Sequence, residues 1–287
     1  MRRTFEARSA RSRPSSQFFL RRTLTNARAN PAVLCRLYLG AVLPCLTDLS
    51  AQDPVARAIL GDLDASIVLR IIGGPAVTLR LRSGHVLWEN GSAAAPSVIL
   101  LFLNDRHLNA FFAGKTWALP LLAWGVWRMR LLARFSKLAG RLEAVLNGDA
   151  AVLATPDGRR MHARLSLIAA GLGLRALADG DEVARKTLRS LPFGLAAFSI
   201  EGDQGATIWF DHGSADNAAG WGEPPRRPEV RVTFADITTA YAVMRDEIDM
   251  PAAIGCGQIK VEGLVPLADG LGVVMERLRI YLLPVAP

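Results

Sequence analysis

The chain repeats itself once, and this limits what it can fold into more than any other feature. Asp53-Pro54-Val55-Ala56-Arg57-Ala58-Ile59-Leu60 returns as Asp181-Glu182-Val183-Ala184-Arg185-Lys186-Thr187-Leu188. Val77-Thr78-Leu79-Arg80-Leu81-Arg82-Ser83-Gly84 returns as Ala206-Thr207-Ile208-Trp209-Phe210-Asp211-His212-Gly213. Leu103-Asn104-Asp105 then pairs with Phe234-Ala235-Asp236, and Pro120 with Pro251. The offset is 128 residues from Asp53 to Asp181 and 131 from Pro120 to Pro251. Order is kept and the drift is small, as loop insertions would produce. A period near 130 is too long for a solenoid repeat and indicates duplicated domains, each large enough to hold its own core.

The chain therefore divides into an Arg-rich tail (1–30), expected to be disordered, a first unit (31–150) and a second unit (151–287). Asn147-Gly148-Asp149 and Thr155-Pro156-Asp157-Gly158 supply turn chemistry at the junction. Both units predict the same order of elements. A helical pair spans 31–47 and 53–62 in the first and 160–178 and 181–190 in the second, with Asp53 and Asp181 as N-caps. A hairpin follows, 67–72 with 76–82 across Gly73-Gly74-Pro75, and 196–201 with 206–211 across Gly202-Asp203-Gln204-Gly205. A third strand is expected at 97–103 and at 229–234. Asp105 and Asp236 then each start a helix, with Leu108, Phe111 and Phe112, or Ile237, Tyr241, Met244 and Ile248, at helical spacing. The alternation of Ile259-Lys260-Val261-Glu262-Gly263 suits a strand. A closing helix ends each unit, near 131–146 and 266–279.

The second unit resembles the sterol carrier protein type 2 family. The residues that carry the resemblance are Val230-Arg231-Val232-Thr233-Phe234, the Asp236-started helix, the run Pro251 to Gly257, and the spacing Gly257-x-Ile259-x-x-x-Gly263 before Leu264 to Leu278. Through the repeat the likeness extends to most of 31–287. Unit one departs from it. Gly125-Val126-Trp127-Arg128-Met129-Arg130 lacks the closing glycine, which puts its last strand in question. The resemblance implies an α+β fold of two tandem sterol-carrier-like domains. Each would be a mixed five-stranded sheet with helices on one face and an apolar tunnel between them. It also implies carriage of a sterol, fatty acyl or isoprenoid chain, without catalysis. Some bacterial relatives are accessory factors in quinone assembly, so the alternative is a scaffold in a membrane-associated lipid or isoprenoid-quinone complex, with biosynthetic enzymes as partners.

Net charge is +8, but residues 1–30 hold eight Arg against Glu6 alone. The rest of the chain is nearly neutral, so nucleic acid is not an expected partner. Three readings fit the tail: a transit peptide, an arm on anionic lipid, or an extended reading of the start codon. Cys35, Cys45 and Cys256 match no metal or redox spacing and read as reduced, buried thiols of a cytoplasmic-type compartment. No run reaches the roughly 18 uncharged apolar residues of a spanning helix. A cytoplasmic protein, peripheral at the inner membrane surface, is the expectation.

No metal, cofactor or catalytic group is expected. His85, His107, His162 and His212 are scattered. Asp211-His212-Gly213-Ser214-Ala215-Asp216 holds triad residue types but reads as a polar turn. Gly171-Leu172-Gly173 reads as close helix packing, and Asp246, Glu247 and Asp249 as a solvated helix end. The expected ligand-contacting residues are apolar. In unit one they are Phe111, Phe112, Trp117, Leu121, Trp124 and Trp127; in unit two Ile237, Tyr241, Met244, Ile254, Leu271, Val274 and Met275. Core packing competes with ligand contact at each. Arg128, Arg130 and Arg134 follow the tryptophans and suit contact with an anionic headgroup or membrane.

Overall fold

The computed structural model describes residues 30–213, 217–244 and 247–282. The expected tail therefore lies outside the described residues, apart from Asn30, as do Ser214, Ala215 and Asp216 of the polar turn and Asp246 of the acid cluster.

Two sheets of five strands are present, and they have one topology. The first unit runs α1 (Pro31–Leu37), a π-helical turn (Tyr38–Val42), α2 (Cys45–Gln52), α3 (Pro54–Leu60), β1 (Asp64–Ile71), β2 (Ala76–Arg82), β3 (His85–Asn90), β4 (Val98–Phe102), α4 (Asp105–Phe112), β5 (Leu121–Trp124) and α5 (Met129–Asn147). The second runs α6 (Ala150–Leu153), α7 (Pro156–Gly180), α8 (Glu182–Leu188), β6 (Gly194–Ile200), β7 (Asp203–His212), β8 (Asn217–Trp221), β9 (Val230–Phe234), α9 (Ile237–Met244), α10 (Met250–Gly255), β10 (Ile259–Gly263) and α11 (Val265–Leu282). Sheet order is β3-β2-β1-β4-β5 in one and β8-β7-β6-β9-β10 in the other. The central pair is parallel in each, with Ile67 beside Val98 as Ala196 is beside Val230. The remaining pairs are antiparallel. The α+β fold and its tandem arrangement are as the sequence led one to expect.

The N-caps are where the sequence placed them. Asp53 accepts a hydrogen bond from the Val55 amide at 3.0 Å and Asp181 from the Ala184 amide at 2.9 Å, each supplying an acceptor to a helix start. The strands alternate as half-buried strands must: Ile67, Leu69 and Ile71 face the core from β1, and Val230, Val232 and Phe234 from β9. On the open face of sheet one the loop after β3 covers Thr78, whose hydroxyl donates to the Gly91 carbonyl at 2.8 Å and accepts from the Ala93 amide at 2.9 Å.

The two units are joined along their first helices. α7 packs on β7 and β8 of its own sheet, and also on α1, the π turn, α2 and α5 of the other unit. Gly171 and Gly173 permit this: a Cβ on Gly171 would run into the Ile208 side chain, and one on Gly173 would come within 2.6 Å of Leu278 and 3.3 Å of Leu37. The close-packing reading of this pair holds. Buried residues of both units form one continuous cluster. The helical run 31–52 has the length and mean hydropathy, 1.5, of a membrane-crossing helix, a match the sequence reading missed because Arg36 and Asp48 interrupt the run. In the fold most of it is buried against α7 and sheet one.

Three local expectations are corrected. β3 and β8 were not anticipated individually; His85-Val86-Leu87-Trp88 alternates behind the Ser83-Gly84 turn, but Asn217-Ala218-Ala219-Gly220-Trp221 carries almost no pattern. Pro120 and Pro251 are not equivalent, because Pro120 abuts β5 whereas Pro251 lies in α10, ahead of β10 in a segment unit one lacks. Finally, unit one does have a closing glycine. Gly125 (φ +88°) follows β5 and lies so near the Ser97 carbonyl that a Cβ would overlap it; Gly263 (φ +100°) ends β10 in the same relation to the Glu229 carbonyl. Residues 126–128 are the turn into α5 and 129–130 its first residues, not a strand.

Candidate functional site

Apolar side chains left in water are concentrated in one place. Among the described residues, seventeen large hydrophobic side chains are exposed, and seven of them fall between Trp117 and Met129. They are Trp117, Leu119, Leu121, Trp124, Val126, Trp127 and Met129. The most open are Trp117 at 72%, Leu119 at 70% and Trp127 at 67%. Ile72 and Leu103, at the ends of β1 and β4, are exposed as well. Scattered exposed apolar residues are ordinary, but a cluster of this density marks an interaction surface.

Local structure holds these residues out. β5 is a short edge strand, pairing Leu121 with Leu101 and Trp124 with Ile99 across an irregularity in register. Before it, His107 brackets the loop. Its Nδ1 accepts from the Leu103 amide at 3.2 Å, which leaves Nε2 as the protonated nitrogen donating to the Leu119 carbonyl at 3.1 Å. The imidazole stacks on Trp117, with ring centres 6.5 Å apart. After β5, Trp124 and Trp127 meet edge to face at 5.1 Å around the Gly125 turn. Arg128 and Arg130 are exposed beside them. Arg134 is exposed too, but its guanidinium donates to the Leu60 carbonyl at 3.1 Å, which ties it to the end of α3.

The other expected contact residues are spread differently. Phe111 and Phe112 are half-buried on α4, where Phe112 stacks on Tyr38 at 4.6 Å and Phe111 leans on Phe102. In unit two, Leu271 and Val274 are wholly packed in the core, Ile237, Tyr241 and Met275 are half-buried, and Ile254 is exposed. The side chain of Met244 is outside the described residues. The two most prominent cavities among the described residues are open clefts with charged linings. One, of about 390 Å³, is walled by Arg227, Pro228, Glu229, Arg231, Glu262 and Gly263; the other, of about 260 Å³, lies between α1 and the β1–β2 turn. Neither is an enclosed apolar tunnel.

The polar residues that sequence reading weighed have structural partners. His162 Nδ1 donates to the Val145 carbonyl at 2.7 Å. His212 Nδ1 bonds Asn217 Oδ1 at 2.9 Å, and Asp211 pairs with Arg226 at 2.8 Å. These bonds engage His212 and Asp211 beside the β7–β8 hairpin; Ser214 and Asp216 lie outside the described residues. Cys35 and Cys45 are buried, and burial, reinforced by Asp105, pushes the Cys35 thiol up to about 12. Cys256 is exposed, contrary to expectation. Sequence reading missed a buried ion cluster at the joint between units. Arg164 on α7 forms a two-pronged pair with Asp48 of α2, at 2.6 and 2.7 Å, and also binds Asp203 at the start of β7. Burial opposes the charge, but the two carboxylates outweigh it and raise the Arg164 pKa. No sequence signal links these three residues, since the contact is between units.

No family model matches the sequence, and no curated protein matches it. Among solved structures, the chain is similar to the sterol carrier protein domain 2 of Helicoverpa armigera, at 15% identity and a TM-score of 0.28, covering 40% of this chain and 86% of that one. It is similar to apo sterol carrier protein 2 from Yarrowia lipolytica, at 14% identity and a TM-score of 0.28, covering 37% and 90%. A third is the sterol carrier protein 2 like 2 of Aedes aegypti, at 17% identity and a TM-score of 0.22, covering 32% and 91%.

Proposed function

We propose that this protein is a non-enzymatic lipid-binding protein that holds a sterol, fatty acyl or isoprenoid chain. The observation that carries the reading is the tryptophan-rich surface between Trp117 and Met129, an apolar cluster that a protein with polar partners alone would not leave in water. Each CH₂ group removed from water contributes about 0.8 kcal/mol, so ten give roughly 8 kcal/mol before the cost of capture. No catalytic group is required for that. In unit two the ligand is held between α9, α11 and sheet two, among Ile237, Tyr241, Met244, Ile254, Leu271, Val274 and Met275. Leu271 and Val274 are closed against the core on α11, so admission of a chain displaces α11 from the sheet. In unit one Phe111 and Phe112 flank the corresponding space. The protein works in the cytoplasm, at the inner face of a membrane.

A second reading is favoured by one observation: the two clefts described above are open to solvent, and neither is an enclosed apolar tunnel. On that reading the chain is an accessory scaffold in a membrane-associated lipid or isoprenoid-quinone complex, and the apolar surface meets the membrane or a biosynthetic enzyme. Native mass spectrometry of the gently purified full chain separates the two. The carrier reading predicts a mass increment from bound lipid that organic extraction removes. A protein that stays lipid-free, with exogenous fatty acid or sterol also failing to bind, contradicts it and leaves the scaffold.

A further inference from the structure

The two sheets are one design, so their open faces can be compared position by position. Register places Ile99, Leu101, Leu121 and Trp124 of sheet one where sheet two has Arg231, Thr233, Lys260 and Glu262. In sheet two this edge is dressed for water, with Lys260 and Glu262 paired at 2.8 Å on the surface. In sheet one all four positions are apolar. The duplicated partner thus serves as an internal control: the fold does not need hydrophobic residues here.

The surroundings of the sheet-one edge define what it meets. Residues 105–134 carry Arg106, Lys115, Arg128, Arg130 and Arg134 against one acid, Asp105. Trp117 stands ahead of β5 with Lys115 before it, and Trp124 and Trp127 stand at its end with Arg128 and Arg130 directly after them. This is the chemistry of a bilayer boundary, where indole rings sit at the headgroup level and cations meet anionic lipid. A second copy of the chain brought face to face on this patch would set basic rims against each other. The Arg-rich residues 1–30 would add eight more cations, so they do not suit the site either.

We infer that the open β4–β5 edge of the first unit, with the 117–130 loop and turn, is a docking surface for an anionic lipid bilayer. The inference deepens the lipid-binding reading of the same surface and rests on it. Trp117, Leu119, Val126 and Trp127 enter the headgroup boundary, Arg128 and Arg130 contact anionic headgroups, and His107 holds the loop in position. Among the described residues, the corresponding edge of the second unit carries Arg231, Thr233, Lys260 and Glu262 instead.

The test is co-sedimentation of the full chain with vesicles of phosphatidylcholine alone or with 30% (on the order of one lipid in three) phosphatidylserine, with tryptophan emission recorded in parallel. Binding to the anionic vesicles is expected to exceed binding to neutral ones by on the order of tenfold, to weaken with salt, and to shift the emission to the blue. Trp117→Ser with Trp127→Ser should lower it by on the order of tenfold or more, and Arg128→Gln with Arg130→Gln should abolish the preference for phosphatidylserine. Leu87→Ser, at an exposed apolar position on β3, should leave both unchanged. All of these positions are exposed, and thermal melts check that each variant is folded. Equal binding to both vesicles, no binding, or full binding by the tryptophan variant overturns the inference. So does self-association that the tryptophan variant removes, which would make a second copy the occupant. Lipid found by native mass spectrometry without vesicle binding overturns the docking surface while leaving the carrier reading intact.

Discussion

Asp53 and Asp181 each cap a helix, and each also holds an arginine from the closing helix of its own unit. Arg141 reaches Asp53 at 2.7 Å, and Arg277 reaches Asp181 at 3.0 Å. The second site is the more buried, and Tyr281 adds a 2.6 Å hydrogen bond to the Asp181 carboxylate. Burial acts to raise the Asp181 pKa, but the bonds from Arg277, Tyr281 and the Ala184 amide outweigh it and hold it below its ordinary value of 3.8. Burial and the bond to Asp181 push Tyr281 up to about 12. A lowered carboxylate pKa contributes stability that is present above the ordinary value and is lost as pH falls through the folded one. Asp181→Asn should therefore cost about 3 kcal/mol near neutrality, because Arg277 is left buried without its counter-charge, and should flatten the decline in stability below about pH 4. Denaturant unfolding at several pH values measures both, and an unchanged acid limb would contradict the assignment. The caps were legible in sequence because capping is local. Their arginine partners were not, since Arg141 and Arg277 lie 88 and 96 residues away in the chain.

At the scale of elements, Gly125 and Gly263 explain how the last strand of each sheet ends. Positive φ and a neighbouring carbonyl leave no space for a Cβ at either. Gly125→Ala should destabilise the protein by about 1–3 kcal/mol and loosen the turn carrying Trp124 and Trp127. Gly114→Ala, where φ is +69° but nothing lies within 4 Å of the added Cβ, should cost less. Thermal unfolding of the two variants compares them directly; equal losses would show that the Ser97 contact is irrelevant. This turn is also where sequence reading lost register. Gly125 was set beside the glycine that precedes β10 when its counterpart is the one that ends it. The reason is physical: unit two inserts α10 before its last strand and unit one does not, so proline and glycine spacing both set the two units too close in register. Alternation made β2 and β9 legible, continuous apolar runs made β1 and β4 so, and the lack of either pattern hid β8.

At the scale of the whole molecule, duplication has produced one body with unlike surfaces. The expectation of a separate core in each unit gives way to a continuous one, in which α7 contacts both halves and the Asp48–Arg164–Asp203 cluster is closed between them. The repeat was readable because it lies along the chain; the joint was not, because it depends on which helix faces meet. Four of the six expected contact residues of unit one, Trp117, Leu121, Trp124 and Trp127, are gathered on an open surface, whereas in unit two Leu271 and Val274 are packed inside, Ile237, Tyr241 and Met275 are half-buried and Ile254 is exposed. On the docking inference, this difference divides the labour, the first unit meeting lipid at a surface that the second has replaced with charge. Hydrogen exchange of the full chain, with and without phosphatidylserine-containing vesicles, tests it most directly. Slowed exchange confined to residues 115–130 and the neighbouring end of β4, with 258–264 unchanged, is the predicted result. Equal slowing at both edges, or none at 115–130, would contradict it.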